Sequence, residues 1–141
     1  MKMRSELTFF SDAFPMIPEP NLDDTDSDDE IDEVNPGIFG RRLANFVCQG
    51  LNARGIAASE PVSEDFGWLV DLPGWGHRAC LVCASDSEMP GRFIIILEPH
   101  RSKVWHWFKR VDARPCNDRV TDAVEQLLNE SGLVQKLEWN E

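Results

Sequence analysis

An α+β fold, with an antiparallel sheet of about three to five strands and two main helices packed on one face, is predicted by two patterns. Two segments carry apolar residues at helical spacing: Ile38, Phe39, Leu43, Phe46, Val47 and Leu51 in one, Val120, Val124, Leu127 and Leu128 in the other. Between them lie short β-leaning runs separated by Pro-Gly turns. Such turns are too short for a crossover helix, so neighbouring strands should pair as hairpins.

Taken in order, residues 6–10 can form a short strand, after which Pro15, Pro18 and Pro20 prevent a regular element. The acidic run that follows reads as a linker or tail. Asn35-Pro36-Gly37 then opens a helix over 36–54, with Asn35 as N-cap, Pro36 at its first position and Gly55 as its stop. Strands are expected at Phe66–Leu72, Arg78–Ala84 and Phe93–Leu97, the first and last bounded by Pro73-Gly74 and Met89-Pro90-Gly91. The β-branched Ile94, Ile95 and Ile96 suit a buried sheet position. Lys103–Arg110 reads as a helical turn lying on the sheet. Asp118–Glu130 is the second helix, stopped by Ser131-Gly132, and Leu133–Trp139 closes the order as a final strand.

Charge divides the chain unevenly. Eight of the eleven residues from Asp23 to Glu33 are acidic. Residues 1–35 hold eleven acids against Lys2 and Arg4, whereas 36–141 hold fourteen acids against twelve bases, so most of the net charge of −11 sits in the first quarter. A run of like charge repels itself and buries little apolar surface. The expected organisation is therefore an acidic, largely disordered arm over 1–34 and one folded domain over 35–141. The strongly apolar run Phe93–Leu97 is far below the roughly 20 residues of a membrane helix. No signal peptide is visible, because Glu6 and Asp12 interrupt the N-terminal apolar residues, and four cysteines do not make a disulfide scaffold. A cytoplasmic protein with no membrane partner and no cofactor is expected.

Four constellations bear on chemistry. Asp24, Asp26 and Asp28 open like a calcium loop, but Asp29 stands where Gly is needed and Asn35 where the bidentate Glu should be. Cys80 and Cys83, with His77 nearby, have metal-like spacing. On a strand, however, residues i and i+3 project from opposite faces, so no metal site is expected. Glu64 and Asp65 precede one strand while Glu98 and His100 close another; if those ends share an edge, the set suits general acid–base catalysis. Arg101, Lys103, Trp105, Trp107, Lys109 and Arg110 interleave cations with aromatic rings, a pattern that can track phosphates and stack on bases, although the net charge opposes nucleic acid.

The stretch Asn35-Pro36-Gly37-Ile38-Phe39-Gly40-Arg41-Arg42-Leu43-Ala44, followed by Glu64-Asp65-Phe66-Gly67-Trp68, resembles a group of small bacterial proteins to which no activity is attached. The likeness extends to Leu97-Glu98-Pro99, Trp107-Phe108 and Trp139 and implies one domain over most of 35–139. No nucleophile context or Gly-rich phosphate loop is present. The expectation is a small acidic interaction protein, of an inhibitor or immunity type, that occupies a basic site on another protein. Asp26, Asp28, Asp29 and Asp32 are its charged contacts, and the segment from Arg101 to Arg110 is a second surface. An enzyme built on Glu64, Asp65, Glu98 and His100 and a nucleic-acid binder are the alternatives.

Overall fold

The structure, a computed structural model, describes residues 4–14, 40–86, 88–89, 91–98, 103–106 and 109–140. The elements are β1 (Glu6–Phe10), α1 (Arg41–Ala53), β2 (Val62–Glu64), β3 (Gly67–Asp71), β4 (Cys80–Ser85), β5 (Arg92–Glu98), β6 (Lys103–His106), β7 (Lys109–Asp112), α2 (Arg114–Ser131) and β8 (Gln135–Asn140). Six strands form one antiparallel sheet in the order β2-β3-β4-β5-β1-β8, and β6 and β7 form a separate two-stranded sheet. The fold is α+β, with one strand more in the main sheet than the sequence predicts.

Period-two alternation sends one set of side chains from each strand into the core. Leu7 and Phe9 of β1, Val70 of β3, Leu81 and Cys83 of β4, and Phe93, Ile95 and Leu97 of β5 are fully buried in a single apolar cluster. The stripes of both helices close over it: Leu43, Ala44, Val47 and Leu51 from α1, and Val120, Val124, Leu127 and Leu128 from α2. The two helices approach closely where α1 carries Gly50. A Cβ there would crowd the Leu127 side chain, which would have to shift to admit it.

Three expectations need correction. The first concerns β1. It lies inside the sheet, between β5 and β8, with Leu7 paired to Ile95 and to Trp139. A boundary at residue 35 would leave this core strand outside the domain, so the folded unit takes in residues 6–10. Leu7, Phe9 and then Phe14, which meets Phe46 and Phe93 at ring distances of 5.3 and 5.9 Å, supply apolar surface that the nearby acidic run conceals.

The second correction concerns Lys103–Arg110: its described residues lie in β6 and β7, an antiparallel strand pair and not a helical turn. Val104 pairs with Val111 and Trp105 with Arg110, an alternation that aromatic and β-branched residues favour. The third is helix length. Gly40 is the N-cap of α1, and the proposed cap Asn35 lies outside the described residues. Helix α2 begins a turn before Asp118, because Pro115 sits in the first turn, where its missing N–H costs nothing and Asp112 Oδ1 accepts the Arg114 N–H at 3.0 Å.

Candidate functional site

Antiparallel sheets of this kind usually bury one face and present polar side chains on the other. Here the second face is apolar as well. The register sets Val62 beside Leu69, Leu69 beside Val82, and Val82 beside Ile96. A second row sets Ala84 beside Ile94 and Ile94 beside Thr8. Together these residues shape a groove of about 400 Å³ lined by Phe66, Leu69, Val82, Ala84, Ile94 and Ile96, with Cys80 and Glu98 at one end. Val82 and Cys80 are its buried floor, while Phe66 and Val62 are each 55% exposed at its rim. An exposed apolar patch with polar margins marks a contact surface more often than chance decoration.

Its margins are acidic. Direct pairing places Asp71, Cys80 and Glu98 side by side across three strands on this face. The same parity puts Glu64 at the opposite end of the groove and Glu6 and Glu138 along its flank. Cations among the described residues also approach this face: Arg92, whose guanidinium holds the Asp86 carboxylate at 2.8 Å, Lys136, whose ammonium lies 5.7 Å from the Phe10 ring, and Arg78 beside Cys80. Burial, then the charges of Asp71 and Glu98, push the Cys80 thiol above its ordinary value, with Arg78 opposing. Cys80 is therefore a neutral thiol at the groove floor.

Edges of the sheet are poor docking sites by comparison. Strand β2 has three residues, and β8 is kinked where Lys136 takes a φ of 54° at a break in its register with β1. Both devices blunt an edge against strand addition. A larger cleft of about 580 Å³ lies beside that kink, between Phe10, Gly91 and Leu133. Its Ser11 hydroxyl is committed, donating to Leu133 O at 2.6 Å and accepting from the Ala13 N–H at 3.0 Å. It presents no activated nucleophile.

The register separates the acid–base set. Glu64 pairs with Gly67 at the start of β3, whereas Glu98 stands level with Asp71 at its end. Glu64 and Glu98 are about 13 Å apart along the strands and three strand spacings apart across them. Glu64 and Asp65 therefore do not meet Glu98, and His100 lies outside the described residues. The reason is topological: β3 and β5 each pair antiparallel to β4, so they run the same way, and a residue before one strand cannot face a residue after the other. Asp26, Asp28, Asp29, Asp32, Arg101 and Trp107 also lie outside the described residues, as do the side chains of Lys103, Trp105 and Lys109; Arg110 is exposed on β7.

Cys80 and Cys83 stand on β4 and face opposite sides, Cys83 in the core and Cys80 in the groove. Among the described residues, no group of three or more His, Cys, Asp or Glu is placed to hold a metal ion, and no helix is long and apolar enough to cross a membrane. Burial, with a smaller contribution from Cys48, pushes the Cys83 thiol up to about 12. The unfolded chain would ionise this thiol near its ordinary value of 9.0, so its contribution to stability is intact below pH 9.0 and is lost as pH rises toward about 12. Melting temperature should fall over that window. Cys83→Ala should start lower, through lost packing, but fall less steeply; an unchanged slope would exclude Cys83 as the cause.

Sequence reasoning did not find the groove as such, although its signal was present. Alternate residues of the run Phe93–Leu97 point to opposite faces, so an unbroken apolar run makes both faces apolar. No protein-family model matches the chain, and neither the curated proteins nor the solved structures give a significant match.

Proposed function

We propose that the protein is a non-enzymatic interaction module that occupies a basic site on a macromolecular target, as inhibitors and immunity-type proteins do. The observation that carries this reading is the second apolar face of the sheet, ringed by the carboxylates of Glu6, Glu64, Asp71, Glu98 and Glu138. An apolar centre with a charged rim is how protein interfaces divide affinity from specificity. The eight acids between Asp23 and Glu33 add a long-range field of the same sign, which speeds encounter with a cationic surface.

Two substitutions sets separate these contributions. Ile96→Asp, at the centre of the face, should lower target capture from native cell extract at least about tenfold, chiefly by faster dissociation. Replacing Asp26, Asp28, Asp29 and Asp32 with Asn should slow association and flatten its salt dependence, with little change in dissociation. Capture that ignores Ile96→Asp in a folded protein would remove the sheet face from the function. Tighter binding by the Asn variant would mean that the acidic run covers the cationic segment between Arg101 and Arg119 and does not steer a partner.

A further inference from the structure

Resting on that reading, we infer that the groove on the second sheet face receives an amphipathic helix of the partner, apolar on one side and flanked by Lys or Arg. The dimensions suit this occupant. The groove crosses β3, β4 and β5, about 10 Å wide at normal strand spacing, and runs about 13 Å between the Glu64 and Glu98 ends. A helix with side chains is about 10–12 Å across, so two to three turns cover that length. The core face of the same sheet is already covered by two helices, α1 and α2. A helix on the second face would complete a three-layer sandwich, in which every apolar face is covered.

Charge selects among the conceivable occupants. Carboxylates stand at both ends of the groove, Glu64 at one and Asp71 with Glu98 at the other, and along its Glu6 and Glu138 flank. A second copy of this chain docking face to face would bring like charges together across a two-fold axis, which costs affinity. Strand addition is disfavoured by the blunted edges. A cationic helix satisfies the apolar floor and the acidic rim together, the helix-in-groove mode of recognition.

The test uses the full-length protein and synthetic helical peptides of Leu and Lys. One peptide carries Leu at i, i+3, i+4 and i+7; a second has the same composition with the stripe scrambled; a third replaces Lys by Glu. Because residues 23–33 attract any cationic peptide, the scrambled peptide sets the background. The striped peptide should bind at least tenfold more tightly than the scrambled one, and the acidic one should not bind. Ile96→Asp, or the gentler Ile94→Thr if the first disturbs folding, should erase the advantage of the stripe. The pair Asp71→Asn and Glu98→Gln should reduce it several-fold and weaken its salt dependence. Equal binding of striped and scrambled peptides, or a stripe advantage indifferent to both face variants, overturns the inference. So does a dimer in sedimentation that Ile96→Asp dissolves. Native target capture lost with Ile96→Asp but insensitive to Asp71→Asn and Glu98→Gln would keep the sheet-face function and reject the cationic helix.

Discussion

Deleting residues 1–14 is expected to abolish folding, leaving no cooperative melting transition and a far-ultraviolet spectrum without native helix. The strand lost, β1, is hydrogen-bonded on both sides, to β5 and to β8. Its Leu7 and Phe9 are fully buried, and Phe14 is 6% exposed. Each such side chain contributes about 1.5–3 kcal/mol when buried, while a domain of this size has only about 5–15 kcal/mol in total. The loss also orphans β8, which among the described residues has no partner strand on its other edge. Arg4 ties the same segment to α2 and β8: its guanidinium donates to Thr121 Oγ1 at 2.8 Å, pairs with Asp122, and lies 5.3 Å from the Trp139 ring, while Asn117 Nδ2 donates to the Arg4 carbonyl. Phe9→Ala alone should cost about 3–5 kcal/mol. A truncated chain that still melts cooperatively near the wild-type temperature would mean that β1 only decorates the sheet.

That expectation reverses what the sequence suggests for the first 34 residues, and the reversal is instructive. The acidic run dominates any average taken over this stretch, and five residues of Glu-Leu-Thr-Phe-Phe are too short for periodicity to outweigh it. Local signals recovered what local physics controls: the stripes of α1 and α2, the strands β3 to β5 with their Pro-Gly turns, and β8. They failed where pairing partners are distant in the chain. Nothing near residues 6–10 announces Ile95 or Trp139 as neighbours. The miss at Lys103–Arg110 is of another kind: Val104 and Val111 are close in the chain, and the segment reads as a helical turn where the structure has a local strand pair. The candidate site was legible only in part. Glu98 belongs to it, but for its place beside Cys80 on the second face and not for a meeting with Glu64, because strand direction is a property of topology.

Gly40→Ala is expected to destabilise the protein by at least about 3 kcal/mol, combining overpacking with backbone strain. Gly40 has a φ of 153°, a region costly to any residue with a side chain, and a Cβ there would lie 2.5 Å from the Cys83 carbonyl oxygen and 3.0 Å from Ala84 Cα. Neither neighbour is a flexible tip; both are backbone of a central strand, so relief requires moving β4 or the start of α1. Gly67 meets the same carbonyl at 2.8 Å and also has a φ of 151°, which makes the Cys83 peptide a point where α1, β3 and β4 converge without room for a methyl group. Gly55→Ala is the internal control. Its φ of 83° is also unfavourable for Ala, but nothing lies within 4 Å, so the cost should be about 1 kcal/mol of conformational strain alone. Urea unfolding of the three variants should rank Gly40 and Gly67 well above Gly55 at constant m-value. The second sheet face depends on the same contact, since Gly67 opens β3 beside Val82 and Ala84 of the groove. Gly67→Ala should therefore also weaken striped-peptide binding in the fraction that folds, whereas Gly55→Ala, remote from that face, should leave it intact. Equal stability losses at all three positions would show that backbone conformation, and not the close approach to Cys83, explains these glycines.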